Sequence, residues 1–264
     1  DEFEADSYGA FYAMHAGYHF NGMVWFLGHY LRRFGDEQAL GWVGGSANRA
    51  YPSLTARIAE LQQERNKIEE AELLFECGLD LVRVGAWDAA RTCFAQVRNT
   101  FLLSPTVVHN LGYAELRQYE DSLPGGPPLE QCVSTSYSSE PLRLRGAVPG
   151  PERALLAEAH ADFLKACDLD PSGGFGAPRL GLACVYLYQG EDSKARTCLQ
   201  EVKVGLDDQD YLNLTGVLAE RGGDASGAQR AWYKALGVGA QLELPQAVVE
   251  ILQHPRPYLP ALYN

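Results

Sequence analysis

The sequence is short of several things that would announce a chemistry. Its six cysteines (Cys77, Cys93, Cys132, Cys167, Cys184 and Cys198) form no Cys-x-x-Cys pair and show no zinc-finger spacing, which removes the common thiolate metal sites and the dithiol redox motif. Most fall inside helical apolar patterns, where a free cysteine behaves as a small buried hydrophobe; spacing alone leaves a disulfide open. Lys and Arg total 22 against 34 Asp and Glu, a formal net charge of -12. That balance lacks the clustered cations that a nucleic-acid surface or an anionic membrane requires. No apolar run reaches the roughly 18 residues that span a bilayer. A G-x-S-x-G elbow, a phosphate-binding P-loop and a G-x-G-x-x-G after a strand are all missing, so three familiar routes to hydrolysis and nucleotide binding have no support. There is no initiator methionine. We therefore expect a chain cut from a longer parent, and the missing signal peptide carries little weight.

What remains is a protein of 264 residues, 46% hydrophobic and 21% charged, enough for one large or two modest domains with real cores. Helical periodicity dominates and strand-type alternation is scarce. A first helix is expected from Glu2 to about His15, ended by Gly17 in a left-handed cap. A second, GMVWFLGHYLRRF, follows Asn21 as a candidate N-cap. After a Gly/Ala/Ser-rich connection, Ser53 caps a third, LTARIAELQQ.

Beyond residue 66 the chain repeats itself. ARTCFAQV at 90–97 returns as ARTCLQEV at 195–202. Extending from these anchors gives units of about 34 residues, the period of the tetratricopeptide repeat, in which small residues sit where paired helices touch. One unit has Gly78, Leu81, Gly85, Ala90, Phe94 and Val97 at the expected offsets; the next has His109 to Gly112 on its first helix and Ala159, Phe163, Ala166 and Pro171 on or after its second. A third has Ala183, Tyr186, Gly190, Ala195, Leu199 and Val202, and a fourth Gly216, Ala219, Gly223, Ala228, Trp232 and Ala235. The expected fold is all-α, with an α-solenoid of about four repeats over 67–264. An insertion near 119–153, dense in Pro, Gly and Ser, divides the second unit and reads either as a surface excursion or as a lid or docking loop. The Pro-rich tail HPRPYLPALYN is expected to be extended.

Solenoids of this kind bind peptides or protein surfaces on the face lined by the first helix of each repeat. Those offsets pick out Arg83, His109, Tyr113, Arg117, Tyr188, Asn213 and Arg221 as candidate groove residues. The three arginines are suited to bidentate contacts with carboxylates; ordinary exposed side chains are the competing reading.

Catalytic sets are scarcer. HAGYH at 15–19 has the histidine spacing of H-E-x-x-H, but Gly17 interrupts the helix and no Glu stands beside His15. Helical continuity is what lets that motif chelate zinc, so the pair is set aside. His29 and His254 have no ligand-like neighbours and read as surface or core residues. At the start of the chain, Glu2 and Asp6 project from one helical face, one turn apart. Acidic residues in a first turn are ordinarily explained by the helix dipole.

Taken together, E-F-E-A-D-x-x-G, then A-G-Y, an amphipathic helix, and Y-P-S-x-x-x-R-I-x-x-L resemble the gluzincin zinc metalloendopeptidases of the HtpX and BepA type, some of which carry a C-terminal tetratricopeptide array. The resemblance implies that 1–66 are the closing helices of a metalloprotease catalytic domain. It makes Glu2 the third zinc ligand and Asp6 the carboxylate that orients a ligand from behind. Tyr51 stands where the family often has His; it is a candidate oxyanion donor or a packing aromatic. H-E-x-x-H is absent from all 264 residues, and catalytic zinc needs about three protein ligands. Zinc is thus expected in the intact parent and not on this chain alone, which should be inactive by itself. The implied partners are the missing N-terminal catalytic segment and protein or peptide ligands of the repeats. The implied setting is periplasmic or cell-envelope quality control. The alternative is a non-enzymatic tetratricopeptide scaffold.

Overall fold

The structure, a computed structural model, describes residues 2–43, 52–101, 103–122, 129–132, 141–144, 152–202 and 209–235. It divides into two units. The first comprises Asp1–Cys77 with Gln96–Leu103, and the second Gly78–Ala95 with Ser104–Asn264.

In the first unit, α1 (Glu2–His15) ends where Gly17 adopts a φ of 86°. The Gly17 and Tyr18 N–H groups donate to the Met14 and Ala13 carbonyls, a paired closure that satisfies the last turn and suits a residue without Cβ. Helix α2 (Phe20–Val43) begins earlier than Asn21, contrary to the expected cap, because the His19 carbonyl already takes the Gly22 N–H at 2.8 Å and Phe20 is buried. Gly35 breaks it with a φ of 68°. Ser53 caps α3 (Leu54–Gln63) as expected, its hydroxyl accepting from the Ala56 N–H at 3.1 Å. Helix α4 (Arg65–Arg83) follows after one residue, and α5 (Trp87–Thr100) after a short turn; each contributes to both units. The first unit's core gathers Phe11, Phe20, Leu61, Ile68, Phe75 and Val97. The Phe11 ring meets Phe75 and Phe101 at centroid distances of 5.6 and 5.7 Å.

The second unit continues with α6 (Pro105–Ser122), α7 (Glu152–Leu169), α8 (Ala177–Gln189), α9 (Asp192–Glu201), α10 (Gln209–Arg221) and α11 (Ala225–Ala235). Three turns are copies of one another. Gly85, Gly190 and Gly223 have φ of 74, 76 and 81°. In each, the glycine N–H bonds three residues back and the next N–H five residues back. This is the cap that only glycine adopts without strain, and it closes the first helix of a repeat. Where these helices pack, large rings occupy the space left by missing Cβ atoms. A Cβ on Gly78 would lie 2.6 Å from Phe94, on Gly181 2.5 Å from Phe163, and on Gly216 2.3 Å from Trp232.

The fold is all-α, as expected, apart from a short ribbon in the insertion. Strands β1 (Leu129–Cys132) and β2 (Pro141–Leu144) form an antiparallel ribbon, with Leu129 opposite Leu144 and Cys132 opposite Pro141. Helices α6 and α7 remain neighbours across the insertion.

Candidate functional site

In the first unit, Ser53 sets the first turn of α3, and Thr55 adds hydrogen bonds to Asp36, 2.7 Å from its hydroxyl and 3.2 Å from its N–H. This orientation brings Arg57 to Asp6. Arg57 donates from Nε and Nη2 to the two Asp6 oxygens at 2.7 and 2.6 Å, a bidentate, charge-assisted pair. The hydrogen bonds that Arg57 donates to Asp6 raise its pKa further above its ordinary value against the opposing effect of burial. Arg57 Nη1 also lies 3.8 Å from Glu2, whose side chain is 33% exposed. One guanidinium therefore links Glu2 and Asp6. Glu4 is engaged by the Tyr8 hydroxyl at 2.6 Å; burial, and then this carboxylate, push Tyr8 up to about 12.

The histidines of HAGYH separate. His15 pairs with Glu76 and packs edge-on against Phe75, while His19 is exposed. His29 stacks on Trp25 at 5.4 Å. Among the described residues, no three His, Cys, Asp or Glu side chains gather as a metal-holding group. Tyr51 and His254 lie outside the described residues.

In the second unit, five of the candidate groove residues, His109, Tyr113, Arg117, Tyr188 and Arg221, make contacts within the array. His109, Tyr113 and Tyr188 are buried. The His109 ring packs among Phe163 and Phe175, at 5.5 and 5.3 Å. Tyr188 donates its hydroxyl to Glu120, which also pairs with Arg117 at 3.2 Å. Arg117 lies over the Trp87 ring at 4.8 Å, and the Trp87 indole N–H donates to Asp121 at 2.6 Å. Arg221 donates to the Leu187 carbonyl and to Asp192, at 2.9 and 2.8 Å. The Asn213 carbonyl accepts from Trp232 at 3.4 Å. Arg83 is exposed and pairs with Asp80 on its own helix. Sequence reasoning overlooked the acidic partners of these side chains. Glu115 and Glu120 are buried on α6, and Arg91 reaches Glu115 at 3.5 Å and Glu158 at 3.1 Å. Their signal was two acids on a repeat's inner helix, where burial demands cationic or hydrogen-bonding partners.

The inner helices are also unusually covered. Residues 105–120 of α6, 177–188 of α8 and 210–220 of α10 include no exposed residue, whereas α5, α7, α9 and α11 each expose one face.

No protein family matches the chain, and no curated protein matches it. Among solved structures, it is similar to a thermophilic TPR protein of Thermus thermophilus. The TM-score is 0.50 at 14% identity, over 76% of this chain and 89% of that one. The fold is a tetratricopeptide-repeat-like array. The recurrent glycine caps and ring-into-glycine contacts are the local physics by which this array forms. At that identity the likeness concerns the fold alone. No described helix is long and apolar enough to cross a membrane.

Proposed function

We propose that the chain is a protein-interaction scaffold whose repeat array engages other polypeptides. The observation that carries this reading is the side-by-side arrangement of α6, α8 and α10 as inner helices of successive repeats, the element by which such solenoids present a continuous binding face. The net charge of -12 favours partners that are neutral or basic at their contact surface. The test is affinity capture of the tagged chain with chemical cross-linking and peptide mapping. Cross-links to partners should fall within 78–235; cross-links confined to 1–77 would overturn the assignment.

A second reading concerns the parent protein. The E-x-x-x-D and R-I-x-x-L segments, singled out by their resemblance to zinc metalloendopeptidases, meet through Arg57. That contact supports the proposal that 1–66 derive from a catalytic domain. Glu2, with a partly exposed carboxylate, suits a zinc ligand in the intact parent. Asp6 is fully engaged by Arg57, so its orienting effect would pass through that guanidinium. The described residues supply no complete donor set, so on this reading the remaining zinc ligands belong to the intact parent. An envelope location belongs to the same proposal. Determining the coding sequence upstream of Asp1 tests it. An in-frame H-E-x-x-H about 50 to 80 residues before Glu2 is expected; its absence would leave the scaffold reading standing alone.

A further inference from the structure

We propose that the β1–β2 ribbon is an intramolecular strap occupying the groove of α6, α8 and α10, so that a partner reaches this face only by displacing it. The inference rests on the scaffold reading above and specifies how that site is regulated. Backbone proximity is the first observation: β1 comes within 8 Å, Cα to Cα, of α10, and β2 of α6 and α8. The ribbon thus lies along three successive inner helices and not beside one.

Burial is the second. An inner helix of a solenoid packs on its own partner and on the neighbouring repeats, leaving one face for solvent or a ligand. Here that face is closed. Ten consecutive residues of α6, Val107 to Leu116, are buried, and a helix buried on all sides is covered on all sides.

Polarity is the third. Of the buried polar residues on α6, Glu120 is met by Tyr188 and Arg117 and Glu115 by Arg91. Asn110 is 0% exposed; its amide nitrogen donates to the Thr106 carbonyl at 3.0 Å, and its side-chain oxygen has no donor among the described residues. An extended segment answers such a face, because the outer edges of a two-stranded ribbon carry unpaired N–H and C=O groups. Covalent attachment at both ends also gives the ribbon a high effective concentration, of order millimolar for short linkers. A partner in solution must outcompete it.

The test uses two proteins and one peptide. The intact chain is compared with a variant in which residues 123–151 are replaced by a short Gly/Ser turn, and a labelled synthetic peptide of residues 123–151 is titrated into each. The shortened chain should bind the peptide at least tenfold more tightly than the intact chain, read by fluorescence anisotropy. A shortened chain that keeps its helical circular dichroism yet ignores the peptide, or equal binding by both proteins, overturns the proposal. Hydrogen exchange on the intact chain covers the case in which the shortened one fails to fold. A two-stranded ribbon alone is marginal in water, so slow exchange at 129–132 and 141–144 reports docking. Exchange there as fast as in the free peptide overturns the strap. Neither measurement uses an external partner, so failure of the scaffold reading and failure of the strap are separately visible.

Discussion

The Asp6 carboxylate accepts two hydrogen bonds from the Arg57 guanidinium, 2.7 Å from Nε and 2.6 Å from Nη2, while only 3% exposed. Removing the cation strands a buried charge, which typically costs about 3–5 kcal/mol. Arg57 keeps some solvent contact, so Arg57→Ala is expected near the lower end of that range, measured by urea denaturation. Arg57→Lys should recover little, because an ammonium cannot reproduce the planar fork. Removing both partners should cost less than the sum of the single changes. A loss below about 0.5 kcal/mol for Arg57→Ala, the size of an ordinary surface substitution, would contradict the pairing.

Phe163 fills the space beside Gly181 and Gly112, where added Cβ atoms would lie 2.5 and 3.2 Å from its ring. Gly181→Ala is therefore overpacked and should lose about 1–3 kcal/mol. Phe163→Leu in that background should return part of the loss. Thermal melting of the three variants checks the sign of this coupling.

Tyr188 donates its hydroxyl to Glu120 in a buried site. Tyr188→Phe should cost about 1–3 kcal/mol, since the carboxylate loses a hydrogen-bond donor while keeping Arg117 at 3.2 Å. Burial, and then Glu120, raise the Tyr188 pKa well above its ordinary value. In a spectrophotometric titration of the folded protein, the Phe variant should lose no tyrosine ionising near pH 10.

The thiols should react in order of exposure and ionisation. Cys77 is exposed, Cys184 is buried, and burial pushes both Cys167 and Cys198 up to about 11. Because the thiolate is the nucleophile, iodoacetamide at pH 8 should label Cys77 ahead of Cys167, Cys184 and Cys198, which should stay slow until denaturant is added. Peptide mapping over time reads this directly.

Asp170 organises the turn before α8. It accepts from the Ser172 hydroxyl at 2.5 Å and the Phe175 N–H at 2.7 Å, and these bonds lower its pKa from 3.8. A depressed folded-state pKa means that the unfolded chain binds the proton more readily. The contribution is fully present above the ordinary carboxylate pKa and is lost as pH falls through the lower folded value. Asp170→Asn should lower the urea midpoint at pH 7, and the gap to the unaltered protein should narrow toward pH 2.

Much of the fold was legible because it is written at short range. Gly17, Ser53, Gly85, Gly190 and Gly223 act within one helical turn, where capping depends on a residue and its near neighbours. The repeat offsets placed small and large residues on paired helices, and in the structure Phe94 and Trp232 pack against Gly78 and Gly216. The start of α2 was misplaced because Asn21 has the right chemistry but the His19 carbonyl closes the turn first. The ribbon went unforeseen because the strands are only four residues each and their pairing is supplied by a segment elsewhere in the insertion.

By itself, then, the sequence determined a helical chain with recurrent small-residue positions, glycine stops and an interrupting insertion, all consequences of local backbone preference and periodic burial. Tertiary structure alone decided the partners: Asp6 with Arg57, Glu120 with Tyr188, and the ribbon against three inner helices. Partners separated by 51 and 68 residues leave no local trace. A charged or aromatic side chain looks the same in sequence whether it awaits a ligand or completes the interior, and the difference lies in what folding brings within about 3 Å of it.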